Sequence, residues 1–191
     1  MSPILAARGG LAASAYGFTS GAVAVGAYDS IATVNVPSTS ATITFSSIPQ
    51  TYTHLQIRYL CNTTRIGGPT GSGTIEFNGD TTASHYSTHA LYGDGATAAA
   101  AGYANANYGL WYYGSTTTFV AGVIDILDYT STTKNKTQRI LTGFDANGSG
   151  QMGLASTSWM ATSIAAITSI VITPTGYSFN TNSTFALYGV K

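Results

Sequence analysis

Apolar and polar residues alternate most regularly between Leu55 and Cys61. Apolar side chains occupy every second position there, and Arg58 is one of the polar residues between them. Because successive side chains of a strand point to opposite faces, this period predicts a strand with one buried and one solvated face. Residues 74–78 repeat the pattern over a shorter length. Both segments are therefore expected to border a core.

Short apolar runs separated by turn residues predict further strands. Asn78 and Gly79 form a turn signal, and Pro37 separates two of the runs. Residues 84–92 are compatible with another strand. The remaining runs favour strands at residues 31–36, 41–45, 118–129, 137–144, 151–156, 167–173 and 183–190.

The run at 118–129 is apolar on both faces. Val120 and Ile124 point one way, whereas Val123 and Leu127 point the other way. Two-sided apolarity is typical of a strand in the middle of a sheet or at a contact between subunits.

The Ala-rich segment 96–106 leaves two interpretations open. Its alanines allow one or two helical turns. The aromatic group from Tyr103 to Tyr113 favours a loop followed by a strand with an aromatic face.

Taken together, these patterns predict an all-β fold with eight to ten strands. Long helical periods and fixed-length repeats are not visible in the sequence, which disfavours solenoids and propellers. We expect an antiparallel β-sandwich, jelly-roll-like in topology, over residues 29–191.

Residues 1–28 are rich in Ala, Gly and Ser and sustain neither a helical nor a strand period. We expect an extended N-terminal arm that becomes ordered against a partner, and a disordered leader is the alternative. The candidate partner-binding residues in this arm are Arg8, Tyr16 and Phe18.

The composition is typical of a subunit of a larger assembly. Only 7% of the residues are charged and the formal net charge is zero, whereas about 25% is usual. Such a surface gains little electrostatic repulsion. The seven Lys and Arg residues offer no basic stripe for nucleic acid, and no apolar stretch approaches the length of a membrane span. We therefore expect neither a nucleic-acid nor a membrane partner.

The acidic residues are not spaced as a catalytic pair. Asp125 and Asp128 are three residues apart on a predicted strand, so they point to opposite faces. Asp80 and Asp94 lie in turn sequences, where Asp commonly binds local backbone. A glycosidase-type pair of facing carboxylates is therefore not expected.

Other chemistry-bearing residues also favour structural roles. His85 and His89 are four residues apart, but no third zinc ligand occurs at the usual spacing. Residues 145–150 imitate the start of a calcium loop, yet Ser156 stands where the loop requires Glu, so a glycine-rich hairpin turn is expected. Cys61, the single cysteine, falls on a predicted buried face and is expected to be an inert packing thiol. We predict no catalytic residue, metal or cofactor.

Aromatic residues leave one alternative function open. Exposed rings stack on sugars, and Trp111 and Tyr112 are the candidates for such a role. The alternative hypothesis is therefore a carbohydrate-binding adhesin module that recognises host surface glycans.

A family likeness spans most of the chain. It is carried by residues 7–17, 45–58, 75–80, 125–130, 134–137, 167–174 and 185–189. These segments, among them Ile75-Glu-Phe-Asn-Gly-Asp80, resemble virion structural proteins of tailed bacteriophages, especially marine and cyanobacterial phages.

The resemblance implies a non-enzymatic, self-associating particle subunit whose leader docks on another virion protein, in the capsid or in the tail or neck. A short fibre and a capsid cement or decoration protein are both compatible with it. Our leading hypothesis is a homotrimer, located in the virion, that has a jelly-roll body and an N-terminal anchoring arm.

Overall fold

The computed structural model describes residues 26–67 and 70–191. Over these ranges the chain is all-β, and no helix there is long and apolar enough to cross a membrane. The twelve strands of the described chain are β1 (Tyr28–Asn35), β2 (Ile43–Phe45), β3 (His54–Cys61), β4 (Thr70–Phe77), β5 (Tyr86–Gly93), β6 (Ala98–Ala106), β7 (Gly109–Gly114), β8 (Val120–Leu127), β9 (Lys136–Asp145), β10 (Gly150–Trp159), β11 (Ile170–Thr173) and β12 (Thr184–Val190).

These strands form two antiparallel sheets that pack as a sandwich. The larger sheet has eight strands in the order β1-β12-β3-β8-β9-β10-β5-β6, and the smaller has four in the order β2-β11-β4-β7. The predicted antiparallel β-sandwich is therefore confirmed.

Two hairpins extend a jelly-roll core. When β5–β6 and β9–β10 are set aside, the other strands form two four-stranded sheets, β1-β12-β3-β8 and β2-β11-β4-β7. The chain changes sheet at almost every connection between these eight strands, as in a double-sheet jelly roll. The hairpins then continue the larger sheet beyond β8.

The core lies between the two sheets and follows the predicted alternation. Leu55, Ile57 and Cys61 of β3 are fully buried, as are Ile75 and Phe77 of β4. Since an alternating apolar strand buries one face, the sequence pattern predicted β3 and the part of β4 from residue 74 onward.

The predicted two-sided strand is β8. Val120 and Ile124 are buried, whereas Val123 points outward and is only partly covered. β8 pairs with β3 on one side and β9 on the other, which places it in the middle of the larger sheet.

The Ala-rich segment is a strand and not a helical turn. β6 pairs antiparallel with β5, and the turn between them is fixed by the Asp94 carboxylate, which accepts hydrogen bonds from the backbone N–H groups of Ala96 and Thr97. Gly95 takes a positive φ of 91° in this turn, which glycine adopts without steric cost. With β6 and β7 the described chain has twelve strands, more than the eight to ten that the pattern predicted.

Candidate interaction face

The outer face of the larger sheet carries a row of aliphatic side chains. The strand register sets Val123 opposite Leu141, Leu141 opposite Leu154 and Leu154 opposite Leu91. Alternate residues on these strands, such as Ile140, are buried in the core. The four side chains of the row therefore point away from the core.

About half of each long side chain in this region is exposed. Leu141 is 49% exposed, Leu154 51% and Leu91 60%, and the neighbouring Leu60 and Met152 are 48% and 62% exposed. A contiguous apolar patch of this kind is unusual on a monomer and makes this face the candidate interaction surface. We define the aliphatic face as Leu60, Leu91, Val123, Leu141, Met152 and Leu154.

Small residues open two grooves beside these long side chains. One groove, of about 650 Å³, crosses β5, β6, β9 and β10 and includes Ala100 and Gly102 in its lining. The second, of about 930 Å³, crosses β8, β9 and β10 and includes Ala121 and Gly143. The face thus alternates protruding aliphatic chains with hollows.

The strand β9 places opposite charges on either side of the aliphatic residues. Arg139, Leu141, Gly143 and Asp145 share the outward-facing side of this strand. Arg139 and Asp145 are both exposed to solvent. Along the outer side of β9, a basic residue is therefore followed by an aliphatic, a small and an acidic residue.

The half of the sheet next to β1 is polar instead. Gln56 donates a 2.8 Å hydrogen bond to the Asp125 carboxylate and accepts one of 2.7 Å from Arg58 Nε. The Arg58 guanidinium also lies over the rings of Tyr28 and Tyr188, at 4.7 and 4.8 Å from their centroids. Hydrogen bonding and cation–π contact thus occupy these groups within the chain.

A second cluster surrounds Asp80 at the turn after β4. Its carboxylate accepts hydrogen bonds from Trp159 Nε1 at 2.7 Å and from the Thr82 N–H at 3.0 Å. His85 Nδ1 lies 2.7 Å from Asp80 Oδ2, and His85 Nε2 lies 3.2 Å from the Thr162 hydroxyl. Asp80 is therefore more than the turn residue that the sequence predicted, because it also joins this turn to the end of β10.

This acid–imidazole–hydroxyl order is one that can activate a nucleophile. Yet neither groove of the outer face is lined by His85 or Thr162. Backbone bonding points to a structural task, since Met160 N–H donates to His85 C=O at 2.7 Å. The cluster links the β4–β5 connection to β10 and its end. We call it the Asp80 clasp, and its residues are Asp80, Thr82, His85, Trp159 and Thr162.

The Asp80 clasp predicts a specific acid sensitivity. Burial raises the pKa of Asp80, but hydrogen bonds from His85, Trp159 and Thr82 outweigh it and lower the pKa to about 2. A carboxyl whose pKa is lowered by folding stabilises the protein above its unfolded pKa, and this contribution is lost as the pH falls toward the folded pKa. We expect about 2 kcal/mol of unfolding free energy to disappear between about pH 4 and pH 2.

Urea unfolding at a series of pH values measures this effect. Asp80→Asn should lower the free energy of unfolding at neutral pH and remove most of its decrease between about pH 4 and pH 2. Trp159→Phe, which keeps a ring but removes the Nε1 donor, should remove part of that decrease. An unchanged decrease in Asp80→Asn would contradict the clasp.

The partner-binding residues predicted from the sequence lie outside the described part of the chain. They are Arg8, Tyr16 and Phe18. The sugar-stacking candidate Trp111 is fully buried in the core, so its ring offers no face to a ligand. Tyr112 is only half-buried, at the edge strand β7.

Most other candidate residues have structural partners. Asp128 directly follows the last residue of β8 and forms an ion pair with Lys134 Nζ at 2.9 Å. Residues 146–149 form the expected hairpin turn, with positive φ at Asn147 and Gly148. Cys61 is buried, and burial raises the pKa of its thiol to about 12, as expected of a packing residue. No group of three potential metal ligands occurs within residues 26–67 and 70–191.

The aliphatic face itself was missed at the sequence level. Leu91, Leu141 and Leu154 lie on three different strands, and only the register brings them into one row. A single outward leucine on β9 or on β10 carries no local mark that separates it from an ordinary surface residue.

Comparison of the chain with protein-family models, with curated proteins and with solved structures found no match. Its function is therefore inferred from its residues and their geometry.

Proposed function

We propose that this chain is a structural subunit of a bacteriophage virion, a short fibre or a capsid cement or decoration protein. It self-associates and docks on the particle through residues 1–28. Three features support the proposal: the charged fraction of 7%, the β-sandwich body and the resemblance of several segments to phage virion proteins.

The aliphatic face is the observation that carries the proposal. Six aliphatic residues lie on a sheet face that no other described strand covers, beside small residues and grooves. Covering apolar surface is favourable by about 25 cal/mol per Å². A subunit built into a particle can cover such a face against its neighbours.

The alternative of glycan recognition receives less support from the same face. Sugar-binding surfaces need exposed aromatic rings with convergent polar groups. The outward-pointing residues of this face are Leu, Met and Val, and Trp111 is buried. The proposal therefore assigns the face to protein contacts.

Incorporation into particles tests the proposed function. A chain lacking residues 1–25 retains β1, which begins at Tyr28. We expect this truncated chain to fold but to be absent from purified particles, as measured by quantitative mass spectrometry. Full-length protein carrying Arg8→Ala, Tyr16→Ala and Phe18→Ala should be lost in the same way.

A matched variant tests whether any substitution in this segment reduces incorporation into particles. Thr19→Ala with Ser20→Ala should leave the copy number per particle unchanged. Normal occupancy of the truncated chain would refute docking through the arm, and absence of the full-length chain from particles would refute the proposed function.

A further inference from the structure

We infer that two copies of this chain pair face to face through the aliphatic face, with their β9 strands antiparallel across a two-fold axis. This inference rests on the proposed function, because it names the partner of that face as a second copy of the same chain.

The outer side of β9 is complementary to itself. Arg139, Leu141, Gly143 and Asp145 occupy successive outward positions over about 20 Å of strand. A two-fold axis that passes over Thr142, at right angles to β9, sets Arg139 of one copy over Asp145 of the other, twice in the pair. The same axis sets Leu141 over the hollow at Gly143. In one and the same register, opposite charges therefore face each other and a long side chain faces a hollow.

The strands beside β9 obey the same symmetry. Because facing strands are antiparallel, the axis lies between the two sheets at right angles to the strands, so β8, β10 and β5 each face their own copy. Val123 then lies over Ala121 of the other copy. Leu154 lies over Met152, and Leu91 lies over Gly93. Each of these side chains meets an apolar or small residue, and Leu60 lies over Arg58 at the margin.

Known sheet geometry accommodates this arrangement. Packed sheets lie about 10 Å apart, with side chains interdigitating between them. The outward alternation of long residues with Ala121 and Gly143 supplies knobs and hollows for such packing. An interface related by a two-fold axis uses one patch on both copies, so a single self-complementary patch suffices.

Displacing the axis by one residue along the strands removes the charge match. If the axis passed over Leu141, Arg139 would face Gly143 of the second copy. Asp145 would then face Thr137 and not Arg139. The polar half of the sheet, with Arg58 bound to Gln56 and stacked on Tyr28, stays outside the centre of the contact. The placement through Thr142 is therefore the one that satisfies the charges of β9.

A two-fold contact yields even assemblies. Alone it gives a dimer of the 19.7 kDa chain. Combined with a trimer formed through other surfaces, it gives a hexamer. An assembly with an odd number of copies would leave at least one aliphatic face without a partner.

Charge exchange between two variants of the full-length chain tests the inference. Arg139→Glu and Asp145→Lys should each weaken pairing at least about 30-fold, as measured by analytical ultracentrifugation. Mixing the two variants should restore affinity to near the wild-type value, because each lysine then meets a glutamate and each remaining arginine meets an aspartate. Loss of apolar contact should act likewise: Leu141→Asp should weaken pairing by a similar factor.

Controls separate the face from general surface effects. Ile66 is 85% exposed and lies outside the aliphatic face, so Ile66→Asp should leave pairing unchanged. Urea unfolding of each variant checks that the fold is retained. A wild-type chain that stays monomeric from micromolar to millimolar concentration overturns the inference, and so does a mixture that pairs no better than its components.

The two proposals fail separately. If copies do not pair but particles still incorporate the chain, only the face-to-face inference is wrong. If copies pair as described but purified particles lack the chain, only the virion function is wrong.

Discussion

Replacing Trp111 with alanine is expected to lower the free energy of unfolding by about 3–5 kcal/mol. The indole is fully buried and contacts the rings of Tyr59, Phe179 and Phe185, with centroid distances of 5.4 to 6.0 Å. Its Nε1 also donates a 3.2 Å hydrogen bond to Thr173 C=O. The substitution leaves a cavity in the centre of the sandwich and removes the indole hydrogen bond to the Thr173 carbonyl.

Urea denaturation followed by circular dichroism measures this loss. Tyr177→Ala is the matched control, because Tyr177 is 39% exposed and makes an edge contact with Tyr113. We expect it to cost less than about 1 kcal/mol. A Trp111→Ala protein as stable as the wild type would mean that the indole does not fill the core, and would reopen its role as a sugar platform.

The second large effect is expected at Gly73. A methyl group at this position would lie 2.3 Å from Thr173 C=O and 2.4 Å from Trp111 Nε1. Because the carbonyl belongs to the neighbouring strand β11, relief of the clash requires the β4–β11 ladder to open. We expect Gly73→Ala to cost about 3 kcal/mol, at the upper end of overpacking effects.

Gly102 offers a control on another strand of the same fold. A methyl group there would meet only the His89 ring, at an ordinary 3.4 Å. Gly102→Ala should change stability by no more than about 0.5 kcal/mol in the same urea experiment. Equal losses in the two variants would show that the cost reflects glycine's role in strands generally and not the close approach of Trp111.

The same glycines explain one limit of sequence reasoning. The sequence of residues 67–71, with three glycines and a proline, is typical of a loop, yet β4 begins at Thr70. Gly71 and Gly73 resemble loop residues in the sequence, but the rings of Tyr113 and Trp111 occupy the space that side chains there would fill. A strand glycine that admits a neighbouring ring is visible only once both strands are in place.

Strands with one fully buried face were the predictable part of the fold. The alternation from Leu55 to Cys61 became β3 because its alternate apolar residues lie in the core, namely Leu55, Ile57, Tyr59 and Cys61. The Ala-rich strand β6 lacked such a pattern, because small side chains at the sheet edge do not distinguish inside from outside. Pairing with β5 determined its structure, which local propensity could not.

The candidate site was the least predictable part, for a related reason. His85 and Asp80 lie close together in sequence, but their bonding depends on Trp159, which is distant along the chain. The aliphatic face likewise depends on the pairing of β5, β9 and β10. Contacts of this kind exist only at the level of the assembled sheet.

The inserted hairpins have a consequence for how this protein can diverge. β5–β6 and β9–β10 enter between consecutive core strands and add to one margin of the larger sheet, while the order of the other eight strands is untouched. Lengthening, shortening or exchanging a hairpin would therefore resize the proposed contact face without rebuilding the core between the two sheets. Variation in partner choice and conservation of the scaffold are physically separable in this architecture.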